Sequence, residues 1–194
     1  MLADRGYTVT APTVGYKTPE ALYDATKDDV GITLKDIRVY ASKQAASIVV
    51  VFCNPINGGK VGVEVVRGIA DIVASHEHLS RVILIYEKSI TPFAANQIRI
   101  HNDAGALQIE TFNTSPLQFN VSRHMLVPQH NLLSATDTEK VVAEYGSTAL
   151  FPVLNVTGAT DAVAKYYNFP VGRLIRIDRP SPTGVTAVSY RLTV

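Results

Sequence analysis

The stretch Ser47-Ile-Val-Val-Val-Phe52 constrains the fold more than any other part of this chain. Five apolar residues follow Ser47 without a polar break, so neither side of a strand here could turn toward water. Such a strand must be covered above and below, which calls for a central sheet between layers. A second run, Arg81 to Tyr86, has the same character, and Ala106 to Phe112 reads as a third strand. Between the first two, Val63, Val66, Ile69, Ala70 and Val73 recur at helical spacing. Thr91-Pro92 joins a capping residue to a proline suited to the first helical position, and starts a second helix with Phe93 and Ile98 as core contacts. Strand, helix, strand, helix, strand describes an α/β domain with helices laid on a sheet.

The flanks of that domain are less sharply written. Thr18-Pro19-Glu20 resembles a helix start, residues 24–35 read as a polar loop or short helix, and residues 54–59 form a turn cluster rich in Asn and Gly. Residues 113–116 suggest a boundary, dividing the chain into 1–118 and 119–194. In the second part, Leu126-Val127-Pro128 reads as an extended edge segment, because proline cannot donate to a ladder. Ser134-x-x-Asp137 is a shortened capping box, opening a helix that carries Val141, Val142 and Tyr145 and stops at Gly146. Thr160-Asp161 begins a short helix with Val163, Ala164 and Tyr167, which Asn168 can end in a left-handed conformation. Two strands close the chain. Ile175 and Ile177 alternate with Arg176 and Asp178, and Val188, Tyr190, Leu192 and Val194 alternate with Ser189, Arg191 and Thr193, with Pro180–Gly184 as the reversal. The second domain is small and α+β.

Several function classes fall away at this stage. The run from Ile48 to Cys53 is too short to cross a bilayer, and Met1-Leu-Ala-Asp-Arg5 places charges where a signal peptide needs apolar residues. A single cysteine, Cys53, rules out an intramolecular disulfide and reads as a small buried side chain. A net charge of +1 is small for a general nucleic-acid binder. The charge is uneven, however: from Lys165 onward Lys165, Arg173, Arg176, Arg179 and Arg191 face Asp178 alone. Those bases suit either an acidic partner or phosphate backbone, or else a solvated strand edge.

Catalytic motifs are absent from the sequence. His76-Glu77-His78 has the wrong spacing for a zinc helix, and residues 57–60 are too short for a phosphate loop. His124 and His130 flank a proline and suit an interface better than a metal. Glu64 and Asp71 share a helix face without the lysine that a Mg²⁺ nuclease would place beside its carboxylates. No cofactor is implied.

The second domain carries a specific resemblance. His124-Met-Leu126-Val127-Pro128-Gln-His130 is similar to the His-x-Leu-Val-Pro-x-His segment of the fifth subunit shared by eukaryotic nuclear DNA-directed RNA polymerases, whose assembly domain also occurs alone as a small archaeal polymerase protein. Leu133-Ser134, Glu144-Tyr145, Asp161-Ala-Val-Ala-Lys165-Tyr166, Gly172-Arg173-Leu-Ile-Arg176-Ile-x-Arg179-x-Ser181 and Ser189-Tyr190-Arg191 resemble further motifs of that family in order. The first domain matches more loosely. Asp4-Arg5-Gly6-Tyr7 resembles the end of the family's first helix, most of which would then be missing. Val61-Gly62-Val63, Ser89-Ile90-Thr91-Pro92-Phe-Ala94 and Glu110-Thr111-Phe112-Asn113 resemble other stretches.

The resemblance implies a non-catalytic nuclear protein with no small-molecule ligand and no membrane contact. Its first domain would be a jaw of nuclease-like three-layer α/β architecture near downstream duplex DNA, touched weakly and without sequence readout, with Lys88, Thr91 and Pro92 closest. Its second domain would dock on the largest polymerase subunit among other core subunits. His124, Leu126, Val127, Pro128, His130, Lys165, Tyr166, Arg173, Arg176, Arg179, Tyr190 and Arg191 are the interface candidates. Departures from the pattern (Ala162 for proline, Asn168 for glycine, residues 151–154 without their arginine, residues 184–186 without Gly-Arg-Tyr) point to a divergent paralogue devoted to one polymerase, with polymerase I and hence the nucleolus as the candidate. A Mg²⁺-dependent nuclease of similar fold and a free-standing duplex-binding module are the alternatives.

Overall fold

The computed structural model describes residues 1–9, 27–28, 31–32, 38–43, 46–53, 60–76, 79–105, 107–156, 161–181 and 184–194. They fall into two compact units, Leu2–Gln118 and Phe119–Val194. The helix start expected at residues 18–20 and the turn at 54–59 lie outside the described residues.

The first unit is built on a five-stranded mixed sheet. Its strands are β1 (Thr8–Val9), β4 (Arg38–Lys43), β5 (Ala46–Cys53), β7 (Leu79–Tyr86) and β9 (Gln108–Asn113), in the order β1-β4-β5-β7-β9. The pairs β1–β4 and β4–β5 are antiparallel, whereas β5–β7 and β7–β9 are parallel. Two short ladders stand apart from it. The antiparallel pair β2 (Lys27–Asp28) and β3 (Gly31–Ile32) replaces the loop or helix expected there, and β6 (Lys60–Val61) lies parallel to β8 (Ser89–Ile90).

The β-branched runs behave as their composition demands. Ile48, Val49, Val50, Val82, Ile83 and Leu84 are all buried, so the middle of the sheet is shielded on both faces. On one face, Val49, Val51, Val82, Leu84 and Ile109 form a single core with two helices. These are α1 (Val63–Ala74), through Val66 and Ile69, and α2 (Pro92–Asp103), through Ala94 and Ile98. Both described helices therefore share one side, and the nuclease-like three-layer arrangement goes beyond what these elements show.

Thr91 caps α2 as its sequence promises: its Oγ1 accepts from Ala94 N–H at 3.3 Å. Phe93 departs from expectation, being 79% exposed. The inward stripe of α2 is Ala94 and Ile98, so the residue before Ala94 is turned about 100° away from the sheet. At the end of α2, Asn102 stands in for a missing strand. Its Oδ1 accepts from Ile109 N–H at 2.7 Å and its Nδ2 donates to Ile109 O at 3.1 Å, satisfying the outward groups of Ile109 on edge strand β9. Asn102→Leu leaves both backbone groups of a buried residue unpaired, and denaturant unfolding is expected to show a loss of about 1–3 kcal/mol.

The second unit has a four-stranded sheet in the order β10-β12-β13-β11, made of β10 (Gln129–Leu132), β11 (Val153–Leu154), β12 (Leu174–Pro180) and β13 (Thr186–Thr193). A helix covers part of each face. α3 (Ala135–Tyr145) contributes Val141 to a core with Phe151 and Leu174. α4 (Ala162–Tyr167) contributes Ala164 to another with Leu154, Phe169, Ile175 and Ile177.

The expected caps of these helices form. Ser134 Oγ accepts from Asp137 N–H at 3.1 Å and donates to Asp137 Oδ2 at 2.7 Å. The shorter aspartate thus returns to the capping hydroxyl, where a glutamate would reach the capping residue's backbone. That hydroxyl, with Lys140 behind it, pulls the Asp137 carboxyl below its usual range. The arrangement therefore holds at neutral pH and is lost only as pH falls through that lowered value. Asp161 Oδ1 accepts from the N–H groups of Val163 and Ala164, and Asn168 ends α4 in the left-handed region with φ 52°.

Two strand expectations need correction. The segment Leu126-Val127-Pro128 is not a strand: Val127 N–H donates to His124 O at 2.9 Å, closing a turn, and β10 begins only after Pro128. The proline still marks an edge, but it ends a turn. In β13 the alternation does not divide buried from wet. Val188 is 43% exposed, whereas Thr193, expected outside, is buried. Thr193 Oγ1 accepts from Arg173 N–H at 2.8 Å and lies 2.7 Å from Pro170 O and 2.9 Å from Arg173 O, so the buried hydroxyl is fully partnered.

Candidate subunit interface

Two motif stretches of the first unit meet across 105 residues of sequence. Arg5 ends a short 3-10 turn, Ala3–Arg5, and its guanidinium donates to Glu110 with both terminal nitrogens, Nη1 to Oε1 at 3.1 Å and Nη2 to Oε2 at 2.9 Å. The guanidinium carbon lies 5.9 Å from the centre of the Phe112 ring. Asp4-Arg5-Gly6-Tyr7 and Glu110-Thr111-Phe112-Asn113 therefore form one structural unit. Gly6, at φ 82°, turns the chain directly after Arg5, with Tyr7 buried beyond it.

The residues expected nearest to DNA occupy one loop. Lys88 is exposed between β7 and β8, Thr91 is half-buried in its capping role, and Pro92 is exposed at the start of α2. Because β6 and β8 pair just before α1 and α2 begin, the two helix starts lie side by side, tied by Thr91 N–H donating to Val61 O at 3.0 Å. The cysteine expected to be buried, Cys53, is half-buried against this unit's core, and burial pushes its thiol up. The folded chain keeps that proton where the unfolded thiol has lost it, so the linked stability falls as pH rises past the ordinary thiol range. Alkylation of Cys53 at pH 8.5 is expected to be slower in the folded chain than in urea, which mass spectrometry would follow.

In the second unit, the segment from 121 to 130 gathers against α4. Asn120 Oδ1 accepts from Ser122 N–H at 3.0 Å and starts a 3-10 turn, Val121–Arg123. His124 Nδ1 then accepts from Leu126 N–H at 3.2 Å, and His130 Nδ1 lies 2.8 Å from Pro128 O. A carbonyl can only accept, so Nδ1 of His130 carries the proton. Among the described residues no three His, Cys, Asp or Glu side chains gather as a metal would require. Ser122, Val127, Pro128, Gln129, His130, Val163 and Tyr167 instead line an open cavity of about 310 Å³. Three of the candidates, Val127, Pro128 and His130, thus meet at one site with part of α4. His124 and Leu126 lie exposed beside it.

The remaining candidates do not form one surface. Tyr166 is buried, edge-on to Tyr167, so it supports α4 from inside. Arg173 Nη2 donates to Leu133 O at 2.9 Å and fastens the loop before α3. Tyr190 packs among Tyr145 and Phe151. The expected basic face is divided by strand parity. Arg176 points to the α3 side, where Asp178 Oδ1 accepts from its Nε at 2.8 Å and raises the guanidinium's affinity for its proton. Arg179 and Arg191 belong to the α4 side with Ile177 and Ile175, and Lys165 is half-buried on α4 itself. Sequence reasoning did not single out Ser122 or Gln129. The Asn120-x-Ser122 spacing, a common side-chain turn, was the available signal for the first.

Comparison with known proteins agrees with these motifs. Residues 119–193 match the family model described as RNA polymerase Rpb5, C-terminal domain. A Dictyostelium discoideum protein named DNA-directed RNA polymerases I, II, and III subunit rpabc1 is 29% identical over 198 aligned residues, covering 100% of this chain and 92% of that protein. The Arabidopsis thaliana protein DNA-directed RNA polymerases IV and V subunit 5B is 27% identical, covering 98% of this chain and 84% of its own length. Another from that plant, DNA-directed RNA polymerase subunit 5-like protein 1, is 27% identical, covering 100% and 90%. With its C-terminal unit matched by the family model and relatives aligned along its whole length, the chain is similar to Rpb5-type polymerase subunits.

Proposed function

We propose that this chain is a non-catalytic subunit of a nuclear DNA-directed RNA polymerase. The observation that carries the reading is the Rpb5 C-terminal domain over residues 119–193, supported by relatives named as polymerase subunits along the full length. The C-terminal unit docks on the largest subunit among the core subunits. The first unit stands as a jaw near downstream duplex DNA, with the loop carrying Lys88, Thr91 and Pro92 nearest to it. That contact is weak and non-specific, which suits a chain of net charge +1. The protein works in the nucleus.

Departures from the family pattern at Ala162, Asn168 and residues 151–154 favour service to a single polymerase, with polymerase I and the nucleolus as our assignment. A relative named for polymerases IV and V alone shows that the family includes members of narrower assignment. Purification of the tagged chain followed by mass spectrometry tests both levels. Recovery of one largest subunit, that of polymerase I, is expected. Recovery of all three overturns the single-polymerase reading, and recovery of none overturns the subunit reading.

A further inference from the structure

The four-stranded sheet of the second unit has an open rim. Leu133 N–H donates to Leu174 O at 3.0 Å, so this opposed pair occupies a bonded position of the ladder. In an antiparallel pair such bonding alternates. Asn131–Arg176 and Gln129–Asp178 then bond as well, and the N–H and C=O groups of His130 and Leu132 point away from β12. Nothing among the described residues pairs with that side, because β10 ends the sheet. The usual protections are missing too. Gln129-His130-Asn131-Leu132 has no charge and no proline, and Leu132 is 42% exposed. Edge strand β9 differs in having Asn102 across its outer side.

Beside this rim lies the cavity lined by Val127, Pro128, His130, Val163 and Tyr167. His130 belongs to both features. A strand laid along β10 would carry alternate side chains on the cavity's face of the sheet, and about 310 Å³, lined in part by Ser122, Gln129 and His130, accommodates one large side chain. The surrounding charge is of one sign. By strand register Arg179 stands opposite Pro128 on this face, and it is exposed; Arg123 is exposed at the end of the 3-10 turn. Of the acidic residues, Asp178 is on the opposite face, Asp137, Glu139 and Glu144 are on α3, and Asp161 is engaged in capping α4.

We infer that β10 and this cavity form a strand-addition site for an extended acidic segment of the polymerase's largest subunit, one of whose side chains enters the cavity while a neighbouring carboxylate meets Arg179. Backbone bonds to His130 and Leu132 supply attachment, the cavity selects the side chain, and the cation favours acidic sequence. The inference rests on the proposed polymerase membership and adds where and how the partner is held.

The test uses the full-length tagged chain, both free and in whatever polymerase co-purifies with it, read by hydrogen exchange at single-residue resolution. In the complex the amides of His130 and Leu132 are expected to exchange at least about tenfold more slowly than in the free chain. Leu132→Pro removes an outward N–H, and Arg179→Glu reverses an exposed charge. Each is expected to reduce recovery of the largest subunit about tenfold while leaving the free chain's melting curve unchanged. If polymerase co-purifies but both amides exchange as in the free chain, the docking site is wrong and the proposed function stands. If the amides are already protected in the free chain at high concentration, with a dimer present, the occupant is a second copy and the inference fails. Where no polymerase is recovered at all, both readings fall together.

Discussion

Glu110→Ala is expected to cost the first unit about 3–5 kcal/mol, because it leaves the Arg5 guanidinium charged in a place with little water. The Arg5 side chain is only 5% exposed and that of Glu110 17%, so solvent cannot take over the abandoned partner. Their two parallel hydrogen bonds join the start of the chain to strand β9, and the Phe112 ring lies against the cation. Replacing both members tells the charge from the packing. Arg5→Met with Glu110→Leu removes both charges together, and it is expected to recover most of the loss. Urea unfolding followed by hydrogen exchange in β7 and β9 provides the measurement. A loss below about 1 kcal/mol for Glu110→Ala would show that the pair behaves like an exposed one.

Phe151→Ala should fall as heavily on the second unit, by about 3–5 kcal/mol. Phe151 is buried with Val141 and Leu174 and meets the rings of Tyr145 and Tyr190 at centroid distances of 5.8 and 6.1 Å. It therefore ties the end of α3 to β12 and β13, and truncation opens a cavity that a two-helix, four-strand unit has little material to refill. Amides of Leu174 and Leu192 should lose protection, while Ile83 in the first unit keeps its own. Phe151→Leu, which retains most of the volume, should cost less than half as much. The same cluster half-buries Tyr190, one of the interface candidates.

Much of the fold was legible wherever one residue type answered one local need. The β-branched run before Cys53 could only be a covered strand. Thr91, Ser134 and Asp161 each sit where exposed helix N–H groups need an acceptor, and Asn168 sits where the backbone takes positive φ. What stayed hidden depended on distant parts of the chain. Period two in β13 could not show that α3 and α4 each cover only part of a face, so Val188 lies open and Thr193 is enclosed. The apolar character of Phe93 said nothing about its angle on α2. Tyr166 and Arg173 are interface candidates by their motif, and the structure adds that both make internal contacts, since a motif records a shared structural need as readily as a shared partner. Val127, Pro128 and His130 do line one cavity, but its sharing with Val163 and Tyr167 required the turn after His124 and the position of α4.

The amide of Asn102, clasping Ile109 from outside, has a consequence for copies not yet built into a larger machine. A second molecule approaching along that border finds the donor and acceptor of Ile109 already taken by a side chain that no rotation of the visitor can displace cheaply. Surplus chains are thereby denied a seed for stacking at that border, and substituting this one amide should make concentrated solutions cloud on standing.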